Sequence, residues 1–142
     1  MAKINRQLIA EKSETVLRCL KRVQSKLPAS YDDFLLDIDV QDIIALNLER
    51  SVQACVDIAS HIIAYTPLPG APTMADSFIV LQNAGILSPL LAQRMIKSVG
   101  LRNILVHQYR LIDWKIIWVV LQTHLNDPVE YVKEIKNWNE KD

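Results

Sequence analysis

At 142 residues, the chain is long enough for one domain that buries roughly two-thirds of its unfolded surface, and leaves little for a second. Half of it is hydrophobic, and 16 basic residues balance 16 acidic ones, so the surface as a whole does not gather nucleic acid or acidic membrane; any RNA contact must be local. No apolar run approaches the ~20 residues of a membrane span or has the form of a signal peptide, and a cytoplasmic chain is the expectation.

In chain order, Ile9, Val16, Leu20, Val23 and Leu27 fall on one helical stripe, which predicts an amphipathic helix ending before Pro28. Arg6, Lys12, Arg18, Lys21, Arg22 and Lys26 fill much of its remaining surface. Asp32, Asp33 and Asp37 read as an acidic linker. The strongest helix signal follows, through Ile44, Leu48, Val52, Cys55, Ala59 and Ile62. The run Thr66 to Thr73 holds three prolines and cannot continue it, because proline lacks a donor and fixes the backbone. A short helix from about Met74 to Ala84 stops at Gly85, and Ser88-Pro89 restarts helix in cap-then-first-turn order.

The next helix is expected from Pro89 to about Tyr109, with Gly100 a weak point or a place of close packing. Asp113 caps a helix through Ile117, Val120, Leu121 and Leu125, and a last one starts near Asp127-Pro128 and carries Val129, Val132, Ile135 and Trp138. No alternating pattern suggests a strand. The fold class is therefore all-α, an antiparallel bundle of about five to six helices forming a single domain over residues 1–142.

Cys19 and Cys55 lie inside apolar helical patterns without CxxC or Cys/His spacing, so they read as small buried thiols and no metal or other cofactor is called for. The zero total conceals separated signs. Residues 31–66 carry seven acidic side chains against Arg50, whereas residues 92–115 carry Arg94, Lys97, Arg102, Arg110 and Lys115 against Asp113. Such a basic cluster suits a phosphate backbone or is simply a solvated face.

Chemistry concentrates in Arg102-Asn103-Ile104-Leu105-Val106-His107-Gln108-Tyr109. RNA cleavage without metal needs a group that takes the proton of a ribose 2′-OH, a donor for the leaving oxygen, and a fixed cation on the crowded phosphate. Histidine, with an ordinary pKa near 6.5, serves the first two, and the planar arginine fork serves the third. On an ideal helix Asn103 and His107 share a face, while Arg102 and His107 diverge by about 140°. A two-fold partner contributing the same groups across a shared cleft repairs that geometry.

An Arg and a His five apart are an unspecific spacing, but the segment resembles the signature of the HEPN superfamily: an arginine, a polar residue and then a histidine late in a helix, here Arg102, Asn103 and His107. The longer form R-x4-H-x-Y, completed by Tyr109, is similar to that of the HepT-like toxins, and residues 47–63 and 95–109 are similar to that family's second and motif helices. The resemblance implies a HEPN-type bundle and a type VII toxin ribonuclease acting on messenger or transfer RNA through Arg102 and His107 with support from Asn103. It further implies a homodimer and a cognate minimal nucleotidyltransferase antitoxin that transfers AMP from ATP to Tyr109. Phosphodiester charge tethered beside Arg102 would occupy the place of substrate phosphate.

Two other readings remain open: a non-catalytic helical partner of a nucleotidyltransferase, and a small-nucleotide binder. Asp57 and His61, four apart, are candidates for a local pair behind the site. Trp114, Trp118 and Trp138 read as base-stacking platforms or, from the spacing of the first two, as packing residues. Glu49 and Arg50 fit an exposed pair or contacts to the partner protein equally well.

Overall fold

Each helix starts where a short polar side chain or a proline permits it. In a computed structural model, which describes residues 3–141, helix α1 spans Arg6–Lys26, and the Asn5 side-chain oxygen accepts the Leu8 N–H at 2.9 Å. It ends at Leu27, whose extended backbone is the one a following proline favours. Helix α3, Ile38–Ala64, is capped by Asp37 at 3.1 Å from the Val40 N–H. Thr73 does the same for α4, Met74–Asn83, at 3.2 Å from the Asp76 N–H. Gly85 follows with φ +76°, the left-handed conformation that glycine adopts without strain.

The segment expected to be a linker is helical. Tyr31–Leu36 forms α2, because the Ser30 hydroxyl accepts the Asp33 N–H at 3.1 Å and the two acidic residues of its first turn complement the helix dipole. Phe34 fixes the turn in place, its side chain fully buried. Three charges had masked one anchoring aromatic.

The motif helix, α5, spans Pro89–His107. Ser88 precedes it but its side chain caps nothing; instead its N–H and hydroxyl donate to the Glu134 carboxylate at 2.6 and 3.0 Å. A carboxylate from another helix thus replaces the expected local cap. Gly100 has open space where a Cβ would sit, so close packing does not account for it. The helix stops at His107, two residues before the expected end, and Tyr109–Leu111 forms a short 3₁₀ turn. Helix α6, Trp114–Thr123, is capped by Asp113, whose carboxylate accepts the Lys115 N–H at 3.0 Å, and α7 spans Asp127–Asn139 with proline in its first turn.

The described residues thus form seven α-helices and no strand. Helix α1 packs along α3, and α4, α5 and α7 close around α3. Two apolar cores result. The larger includes Leu20, Cys55, Ile58, Ile62, Phe78, Met95, Tyr131 and Ile135, and the Tyr131 hydroxyl donates to the Cys55 carbonyl at 2.9 Å. The smaller joins Val23, Phe34, Ile44, Ala45, Leu48, Leu105, Ile117 and Leu121, with Trp114 and Trp118 against it. No helix among the described residues is long and apolar enough to cross a membrane.

Candidate active site

The motif sits where α5 runs over the smaller core. Leu105, from inside the motif, is 4% exposed and anchors the last turn of the helix. Asn103 and His107 are exposed, and Arg102 is half-buried. The Arg102 Nη1 donates to the Asn103 side-chain oxygen at 3.0 Å, while its Nε is buried without a partner. A buried donor left unpaired carries a desolvation cost that an incoming acceptor relieves. The guanidinium is therefore held by Asn103 and not consumed by it.

His107 is the last residue of α5, at the negative end of the helix dipole, and makes no side-chain hydrogen bond among the described residues. Its position fits the divergence expected from helical spacing: Asn103 is bonded to Arg102, and no hydrogen bond joins Arg102 to His107 within one chain.

After His107 the backbone leaves the helix at Gln108, φ −131° and ψ 34°, and turns Tyr109 back onto α3. The Tyr109 hydroxyl donates to the Asp42 carboxylate, 67 positions away in sequence. Its ring meets Trp114 edge-on, with centroids 5.9 Å apart and planes at 82°. Burial first, then the hydrogen bond and charge of Asp42, push the phenol up to about 12. A shallow groove of ≈ 190 Å³ lined by Asp42, Ala45, Leu46, Glu49, Leu105 and Tyr109 runs beside it.

The remaining expectations divide. Cys19 and Cys55 are buried free thiols, and burial pushes both upward, away from the reactive thiolate. Asp57 and His61 do not pair: Asp57 accepts from Lys12 at 3.3 Å and Gln53 at 2.9 Å, whereas His61 Nε2 accepts the Asn5 N–H at 3.0 Å and its ring lies 4.6 Å from that of Tyr65. Each tethers α3 to the start of α1 or to its own helix, which is structural work. Trp114 and Trp118 pack on Phe34 at 5.6 and 5.8 Å, and Trp138 lies under the Arg6 guanidinium at 5.5 Å. All three are engaged within the chain. Among the described residues no three His, Cys, Asp or Glu side chains converge as metal ligands would.

Residues 16–135 match the family described as Ribonuclease HepT-like. The chain belongs to the HepT-like ribonuclease family. It is 36% identical over 129 residues, 91% of this chain and 96% of the relative, to the "mRNA nuclease HepT" of Shewanella oneidensis. It is 31% identical over 138 residues, 97% of this chain and 94% of the relative, to the "tRNA nuclease HepT" of Aphanizomenon flos-aquae. A solved structure described as the tri-AMPylated Shewanella oneidensis HEPN toxin in complex with MNT antitoxin superposes with a TM-score of 0.85, at 36% identity, over 92% of this chain and 97% of that one. The all-α bundle expected from the helical pattern, and the HEPN fold implied by the resemblance, are the fold of this HepT-like chain.

Two features of this HepT-like chain, one at the site and one away from it, escaped the sequence. Asp42 lies in an acidic stretch where nothing singles it out, and only the turn after His107 brings Tyr109 to it. The other is Asp127, 6% exposed, which read as a helix start but accepts from Arg94 at 3.5 Å and lies 3.2 Å from His124 Nδ1. That cluster borders a cavity of ≈ 350 Å³ between α3, α5 and α6, which the motif residues do not line.

Proposed function

We propose that this chain is the toxin ribonuclease of a type VII toxin–antitoxin pair, cutting RNA in the cytoplasm without metal through Arg102 and His107. The observation that carries the reading is the order of groups at the end of α5: a guanidinium held by Asn103, an exposed imidazole one turn later, and Tyr109 just beyond it. Arg102 binds the scissile phosphate and offsets the charge that builds on it. His107 takes the 2′-OH proton or protonates the leaving oxygen, giving a 2′,3′-cyclic phosphate and a 5′-hydroxyl. The two curated relatives are named for different RNAs, so the substrate class assigned is RNA.

The whole chain, residues 1–142, acts as one domain and works as a homodimer. Leu90, Ile104, Leu111, Ile116 and Val119, on α5, the 3₁₀ turn and α6, are large apolar side chains between 39% and 81% exposed, more than a monomer of this size ordinarily shows on neighbouring elements. A two-fold axis beside α5 covers them and brings a second Arg102 and His107 to the same cleft. The partner in regulation is a minimal nucleotidyltransferase of the MNT kind, which transfers AMP from ATP to Tyr109; the tri-AMPylated state of the Shewanella oneidensis relative supports this. Tyr109 is 40% exposed and so within reach of a second protein.

Purified protein incubated with RNA and EDTA tests the reading. Cleavage that yields cyclic-phosphate ends and is lost in His107→Ala is expected; cleavage that persists in that variant, or that EDTA abolishes, removes the assignment. Sedimentation of the wild type against Ile116→Asp tests the dimer, with a shift to monomer in the variant expected.

A further inference from the structure

The Tyr109 hydroxyl points its hydrogen at a carboxylate of another helix, and none of the sequence signals around the motif asked for that contact. Asp42 is exposed near the start of α3, so its charge is not needed to hold the core. It lines the ≈ 190 Å³ groove, with Glu49 two turns further along the same face of α3 and Tyr109 also in the lining. A phenol is a poor nucleophile until its proton has somewhere to go. Here the proton already lies in a hydrogen bond to an acceptor, while the side chain lines the groove and is 40% exposed.

We propose that Asp42 is the positioning residue and proton acceptor for nucleotidyl transfer to Tyr109. This rests on the reading that Tyr109 is the modified residue. In the step, Oη of Tyr109 attacks the α-phosphorus of ATP delivered by the nucleotidyltransferase. The Oη–P bond forms, the bond from that phosphorus to the bridging oxygen breaks, pyrophosphate leaves with the electron pair, and the phenolic proton passes to the Asp42 carboxylate and on to water. The upward displacement of the phenol to about 12 agrees with this assignment, because the side chain reaches neutral pH fully protonated and needs an acceptor during the attack.

The orientation matters as much as the proton. The edge-on contact with Trp114 and the bond to Asp42 fix the Tyr109 ring from two sides, and holding a nucleophile in one pose removes rotational freedom that would otherwise be lost in the transition state. Once AMP is attached, Oη has no hydrogen to donate. Its phosphodiester anion then faces Asp42 and Glu49 across the groove, and like-charge repulsion turns the modified side chain away from α3.

The test follows AMP incorporation by intact mass, using the full chain, its MNT-type nucleotidyltransferase and magnesium ATP, for wild type, Tyr109→Phe, Asp42→Asn, Asp42→Ala and Asp42→Glu. Asp42→Asn keeps an oxygen that can accept the hydrogen bond but is no base, and is expected to lower kcat about 10²-fold with KM for ATP unchanged. Asp42→Ala is expected to fall at least as far, and Asp42→Glu to recover part of the rate. Matching circular dichroism and unfolding midpoints show that the variants are folded. Incorporation that persists in Tyr109→Phe overturns the assignment of the modified residue itself. Incorporation that stops in Tyr109→Phe but proceeds at the wild-type rate in Asp42→Asn overturns the role of Asp42 alone, as does a loss confined to KM.

Discussion

The two apolar cores of the bundle share α1, α3 and α5 but are completed by different helices, α4 and α7 in the larger and α2 and α6 in the smaller, and they do different work. The larger, around Ile58, Phe78, Met95 and Tyr131, contains none of the motif residues. The smaller has aromatic rings at its edge, where Trp114 and Trp118 each pack against Phe34, and Leu105, from within the motif, is one of its buried members. Helix α5 passes through both: Met95 and Val99 belong to the first, Leu105 to the second. One core secures the fold, and the other aims the motif.

That division is broken most strongly at the motif itself. His107→Ala and Arg102→Ala are expected to lower RNA cleavage about 10²- to 10⁴-fold, while unfolding midpoints stay close to wild type because His107 is exposed and the half-buried Arg102 leaves its buried Nε unpaired. A fall in both activity and stability would show that the motif turn is held by its polar residues and not by Leu105. Next come the cores. Phe34→Ala and Phe78→Ala each remove a fully buried ring and are expected to cost about 3–5 kcal/mol in denaturant unfolding. Below the melting temperature the two should part: Phe34→Ala loses cleavage as well, since Trp114 and Trp118 lose their support, whereas folded Phe78→Ala retains it. Equal rates in the two variants would mean that the smaller core does not position the site.

The far end of α5 offers a smaller effect. Glu134 accepts the Ser88 N–H and hydroxyl, the work normally done by a residue at the helix start. Glu134→Ala is expected to cost roughly 1 kcal/mol, in the range of a lost helix cap, with no change in cleavage rate. Glu134→Gln, which keeps an acceptor oxygen, should cost less.

The helical pattern was legible because apolar residues recur along every long helix, and the cap at Asp113, the stop at Gly85 and the first-turn Pro128 are local signals that need no tertiary context. The helix at Tyr31–Leu36 was hidden because it has one apolar anchor, Phe34, whose partners Trp114 and Trp118 lie about eighty positions away. The motif residues could be named from their order, but their geometry could not. The end of α5 at His107 depends on a 3₁₀ turn with no glycine or proline to announce it, and that turn decides where Tyr109 goes. The contacts of Tyr109 with Asp42 and of Arg94 with Asp127 join residues 67 and 33 positions apart, and no local pattern at either end names the other.

The finest distinction concerns proton binding at Tyr109. Its folded phenol is pushed up to about 12 from an ordinary 10, with burial the larger cause and Asp42 the second. The folded chain therefore keeps a proton that the unfolded chain releases between those values. Its contribution to stability is complete below about pH 10 and disappears as pH climbs through about 12. Because the side chain is 40% exposed, the solvent screens much of that contribution. The cleaner measurement is the tyrosinate absorbance of wild type minus that of Tyr109→Phe across the alkaline range, which isolates one of the four tyrosines. In Asp42→Asn the same difference should titrate at lower pH, part of the way back toward 10, since the charge is gone and the burial remains. An unmoved titration would show that Asp42 does not hold the hydroxyl in solution, and the turn after His107 would then be tied to the smaller core by the ring of Tyr109 alone.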